Sequence, residues 1–201
     1  MTSLRRELSL APALGVVLFM ALYALGALLY PGGFSVFRNY FCDLLHPVTP
    51  SGAPNPGRIF AFAAMVLIVP TLALFWHVVV ELFPEERVYV LVTRIAGSVS
   101  ALATLLLLTP FHDAAVEIGG GFGLVAFTAV LFALPRARHG LLFAGGVSAA
   151  LVSSACFFVW RTGIAGGALA PLQKLAFALF LGWIFVASLA ASRAVSDRAR
   201  S

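Results

Sequence analysis

The chain has 201 residues, of which 61% are hydrophobic and only 10% are charged, against roughly 25% charged in an ordinary soluble domain. Mean hydropathy is +1.01. A water-soluble fold of this size cannot hide that much apolar surface, so the composition excludes a soluble enzyme, a disordered chain and a disulfide-rich secreted module.

A spanning helix takes about 20 apolar residues, and six such runs follow one another. They cover roughly 9–30, 59–83, 88–109, 114–134, 141–160 and 172–191. Pro31-Gly32-Gly33 ends the first, Pro84 the second, Pro110 the third and Pro135 the fourth, as expected where helices stop. No ladder of alternating ten-residue strands appears, which argues against a membrane β-barrel. The apolar core of the first run is longer than that of a signal peptide, so it is expected to be retained. The expected fold class is all-α: a polytopic membrane helix bundle forming one transmembrane domain over residues 1–201.

The formal net charge is +5. Basic residues beside apolar runs act as topology signals before they act as nucleic-acid contacts. The expected partner is therefore membrane lipid, and no nucleic acid. One set of ends carries Arg5, Arg6, Arg87, Arg136, Arg138, Arg193, Arg198 and Arg200, and the other only Arg38, Arg58, Arg161 and Lys174. This bias predicts that both termini are cytoplasmic. Cys42 and Cys156 form no CxxC pair and no metal-ligand spacing.

The longest connection, residues 31–58, lies on the predicted outer side. Long loops in compact chains tend to carry function. Within it Asp43 and His46 are three apart and share a face if the segment is helical. Ahead of the fourth run, His112 and Asp113 precede Glu117, which falls one turn inside the apolar stretch, where an ionisable group is a functional signal by default. Arg161 and Lys174 flank the last outer connection. On the opposite side, His77, Glu81 and Arg94 form a smaller set, in which a Glu81–Arg94 clasp between neighbouring helices is expected. Gly119-xxx-Gly123 fits close helix approach, and Ser98 and Ser100 suit interhelical hydrogen bonds.

The six-run layout, the segment NYFCDLLHPVTPSGAPNPGR and the PFHD sequence together resemble bacterial six-span membrane proteins of unknown function, distantly similar to the Frag/DRAM/Sfk group. The residues that carry this resemblance are Asn39, Asp43, Asn55, Pro56, His112 and Asp113. It implies an integral protein of the bacterial inner membrane. A weaker similarity is to membrane hydrolases of the alkaline-ceramidase type, which hold zinc with histidines and an aspartate, although this chain has no HxxxH motif.

Three functional readings follow. In the first, an outward-facing polar pocket binds a lipid or small amphiphile in a binding or regulatory role. Arg38, Asn39, Asn55, Arg58, Arg161 and Lys174 line it, with the cations meeting an anionic head group. In the alternative, Asp43, His46 and His112 hold a zinc ion, and Asp113 or Glu117 serves as general base on metal-bound water. A channel or transporter is the third reading; the absence of mid-span acids argues against it.

Overall fold

The computed structural model describes residues 2–200, without the side chains of residues 2–5 and of His112. Six long helices follow in order: α1 (Thr2–Leu28), α2 (Arg58–Val78), α3 (Arg87–Ala103), α4 (His112–Arg136), α5 (Gly140–Thr162) and α6 (Leu169–Arg198). Short 3-10 turns extend α2 (Val79–Leu82) and α3 (Thr104–Leu108), lead into α6 (Gly166–Ala168), and stand alone between α1 and α2 (Phe41–Leu45). Among the described residues there is no strand, only an isolated bridge between Val48 and Pro54. All six helices are long and apolar enough to cross a membrane, which is the architecture of an integral membrane protein. Hydrocarbon offers the backbone no partner, and a helix satisfies its own amides and carbonyls.

The helices run up and down, so both chain ends lie at one end of the bundle and the 29–57 loop caps the other. Each helix packs on its neighbour in sequence, α6 closes back onto α1, and α2 and α6 also touch across the middle. In α2 and α6, 44% of the most apolar window is buried, against 17% in α5, so α5 is the most peripheral. The outward surface is apolar throughout the spans: Leu14, Ile95, Leu102, Phe132, Leu151 and Val186 are all at least half exposed. Such a coat is stable against lipid and not against water.

The centre is aromatic. Trp183 of α6 meets Phe75 of α2 edge-on at 5.6 Å and Phe127 of α4 at 4.8 Å. Its indole N–H donates to the Leu142 carbonyl of α5 at 2.8 Å. Small residues let the backbones approach. Gly97 of α3 lies so close to the buried Trp76 ring of α2 that a methyl group there would overlap it. Gly119 and Gly123 of α4 sit against Ser100 of α3, whose hydroxyl donates to the Gly119 carbonyl at 2.7 Å, as the glycine spacing predicts.

Several helix boundaries differ from the hydropathy reading. Pro135 does not end α4, which continues to Arg136; a proline in the last turn removes one hydrogen bond without breaking the helix. Both α1 and α6 extend beyond their apolar runs, because a helix needs apolar side chains only where it meets lipid.

Gly97→Ala is expected to destabilise the fold by about 1–3 kcal/mol through overpacking against Trp76. Gly120→Ala meets open space and is expected to leave the thermal midpoint in detergent unchanged or raised. Fluorescence-detected unfolding of the two variants compares them directly.

Candidate functional site

The polar residues singled out on the predicted outer side fall into two groups. The first fastens the 29–57 loop over α1, α2 and α6. Here the chain must turn through non-helical conformations, so its backbone amides and carbonyls need side-chain partners. Asn39 accepts from the Ser35 amide through Oδ1 at 2.8 Å. Asp43 Oδ2 accepts from the Tyr40 amide at 2.9 Å and from Asn39 Nδ2 at 3.2 Å. This is the capping role that carboxylates take at the start of a helical turn.

Asn55, which is buried, donates from Nδ2 to the carbonyls of Leu44 at 3.1 Å and His46 at 3.0 Å. Arg58 Nε donates to the Leu45 carbonyl at 2.9 Å. From α6, Lys174 Nζ donates to the Asn39 carbonyl and to Ala170 O, and Gln173 Oε1 accepts from the Phe41 amide at 3.0 Å. The Lys174 ammonium also lies 5.5 Å from the ring centres of Phe34 and Phe41.

An apolar plug holds the same loop. The Phe41 ring meets Tyr23 of α1 edge-on at 5.1 Å and Phe177 of α6 at 4.9 Å, and Leu44 is fully buried. The sequence marks Phe41, with Tyr40, Leu44 and Leu45, as apolar residues suited to an interfacial segment; the structure turns Phe41 inward against α1 and α6. Beneath the loop, the Tyr30 hydroxyl is buried without a hydrogen-bond partner. Burial, and then the Asp43 carboxylate, push the Tyr30 phenol above its usual titration range. The same two causes push the Cys42 thiol up, partly offset by a backbone hydrogen bond. A thiol held protonated at neutral pH is a poor nucleophile. Cys42 and Cys156 are not joined by a disulfide.

The second group joins α4 to α5. Glu117 Oε1 and Arg161 Nη1 are 3.1 Å apart, both more than half exposed, and the Arg161 guanidinium lies 5.7 Å from the Trp160 ring centre. Asp113, in the first turn of α4, is exposed. Arg38 and His46 are exposed on the loop. The expectation for His112 as a metal ligand concerns a side chain outside the described residues. Among the described residues, no three His, Cys, Asp or Glu side chains lie close enough to hold a metal ion.

At the opposite end, Glu81 pairs with Arg198 at 2.5 Å, not with Arg94 as expected from neighbouring helices. The reason is the length of α6, whose last turns carry Arg198 to the turn after α2. Arg136 of α4 lies over the Tyr89 ring of α3 at 5.3 Å and fastens that corner.

Compared with protein-family models, with curated proteins and with solved structures, the chain matches none.

Removal of the Asn55 side chain leaves the Leu44 and His46 carbonyls short of a donor. Asn55→Ala is therefore expected to lower stability by about 1–3 kcal/mol and to speed maleimide alkylation of Cys42. In the unaltered protein, alkylation of Cys42 is expected to keep rising with pH past the point where an unstructured peptide thiol levels off, because its thiolate forms at higher pH. A Cys156→Ser background isolates the signal.

Proposed function

We propose that this chain is a lipid-engaging membrane protein with a binding or regulatory role, and that it meets an amphiphile at the capped end of the bundle. The observation that carries the reading is the composition of the cap's outer rim. Arg38 and Arg58 are exposed there beside exposed Phe37, at 74%, and exposed Ile59, at 70%. Cations beside exposed aromatic and aliphatic side chains suit the head-group zone, where a charge meets phosphate and a ring meets the acyl boundary.

The other residues expected in the site have structural partners. Asn39, Asn55 and Lys174 hold the loop, and Arg161 is neutralised by Glu117. Arg58 gives its Nε to the Leu45 carbonyl, and its exposed guanidinium, with that of Arg38, is what contacts lipid in the proposal. Asp43 already accepts two hydrogen bonds, which favours a framework role over metal ligation. The proposal also places the protein in a bacterial inner membrane, on the layout it shares with the six-span proteins it resembles.

Native mass spectrometry of the purified protein tests the reading. Arg38→Ala combined with Arg58→Ala is expected to lose co-purified lipid; both side chains are exposed, so the thermal midpoint is expected to fall by no more than the loss of the one Arg58–Leu45 hydrogen bond costs. Unchanged lipid content contradicts the reading. Stoichiometric zinc in chelator-free protein, lost on His46→Ala, replaces it with the hydrolase.

A further inference from the structure

At the end of the bundle that carries both termini, the ends of α1, α5 and α6 leave two clefts on either side of Arg193. The cleft of about 370 Å³ between α1 and α6 is lined by Arg6, Ser192, Ser196, Asp197 and Arg200, with Leu10 on its membrane side. The cleft of about 420 Å³ between α5 and α6 is lined by Arg138 and His139, with Leu141 and Val186. Arg193 and Leu189 border both.

The charge along this groove is one-sided. Arg6, Arg193 and Arg200 line the first cleft with one carboxylate, Asp197, and Arg138, His139 and Arg193 line the second with none. Glu7 follows Arg6 on the exposed surface. Glu81 is already paired with Arg198 and offers nothing to the groove. Cations gathered at the edge of a low-dielectric slab repel one another, and an anion seated among them removes that cost.

Arg138 adds a second, independent observation. Its φ is +62°, in the left-handed region that favours glycine. It closes α4 in the pattern that normally ends on glycine: its amide donates to the Pro135 carbonyl at 3.0 Å and the His139 amide to the Leu134 carbonyl at 2.9 Å. The chain places a long cation where the backbone prefers no side chain, and that side chain lines the cleft.

The groove is amphiphilic as well as basic. Leu141 is 92% exposed and Val186 52% exposed, so a head group held by the arginines would lay its acyl chains along α5 and α6. Basic pockets between transmembrane helices are the usual seats of anionic lipid head groups. We propose that the Arg193 groove binds the head group of an anionic phospholipid from the leaflet at the end opposite the cap. This site is separate from the capped-end reading and uses none of its residues.

Competition in detergent between phosphatidylglycerol and phosphatidylcholine, read by native mass spectrometry, tests the proposal. The unaltered protein is expected to retain phosphatidylglycerol selectively. Arg193→Gln is expected to weaken that retention roughly fivefold, as is Arg138→Gly. Arg138→Gly also relieves the backbone and is expected to keep or raise the thermal midpoint, which separates lost binding from lost fold. Arg38→Ala with Arg58→Ala is expected to leave the preference intact, whatever happens to lipid at the cap. Equal retention of the two lipids overturns the proposal, as does unaltered retention in both the Arg193 and Arg138 variants. Displacement of phosphatidylglycerol by inorganic phosphate would make the groove a free-anion site. A dimer sealed across α6 that excludes phosphatidylglycerol would make it a self-association surface. Either result overturns the assignment to lipid.

Discussion

Trp183 holds the bundle together. Its ring touches α2 through Phe75 and α4 through Phe127, and its N–H bonds to α5 through the Leu142 carbonyl. Lipid tails are as apolar as leucine, so helices in a bilayer gain nothing from merely hiding apolar surface. Adhesion must come from close van der Waals fit and from interhelical hydrogen bonds. A single indole supplies ring contacts to two helices and a hydrogen bond to a third. The glycines have the complementary role: Gly146 of α5 lies against Trp183, and Gly97 of α3 against Trp76. Where large rings meet missing side chains, the helices are fixed in one arrangement.

The two ends of this scaffold have opposite chemistry. At the capped end, polar side chains are spent largely on the loop's own backbone, and Phe41 and Leu44 tie the loop to the core. The cap is therefore tied down from within, with Arg38 and Arg58 exposed at its rim. At the other end, arginines of α1, α6 and the turn between α4 and α5 line two clefts. Most polar side chains at the capped end bond to the loop itself, whereas arginines line the clefts at the other end. Lipid at each end would brace the same helix, α6, which contributes Lys174 to the cap and Arg193 to the groove.

The sequence made the spans legible because hydrocarbon thickness imposes a run of fixed length. The long loop at 31–58 was legible for the same reason, as the segment lacking one. Helix ends were less visible: the turns beyond Ala191 carry polar residues that hydropathy does not count. That is why hydropathy points Glu81 to Arg94 on α3, whereas its partner is Arg198 on α6. Asp43 and Asn55 stood out as polar, but their roles depend on which backbone groups the loop folds back to expose, and no spacing rule encodes that. Glu117 and Arg161 are 44 residues apart, and no spacing rule joins them; only their place at the same membrane edge puts them within reach. Arg6, Arg138 and Arg193 lay in plain sight as topology signals. Their convergence on one groove is a product of the closed ring of helices, which puts α1 and α5 on either side of α6.

The account depends on the cap and the arginine groove facing opposite sides of the membrane. With Cys42 and Cys156 replaced by serine, His46→Cys marks the cap and Glu85→Cys marks the turn between α2 and α3. Labelling of sealed vesicles with a membrane-impermeant maleimide reads which side each occupies. The account predicts that one of the two reacts from outside and the other only after the vesicles are opened. Reaction of both from the same side would contradict it.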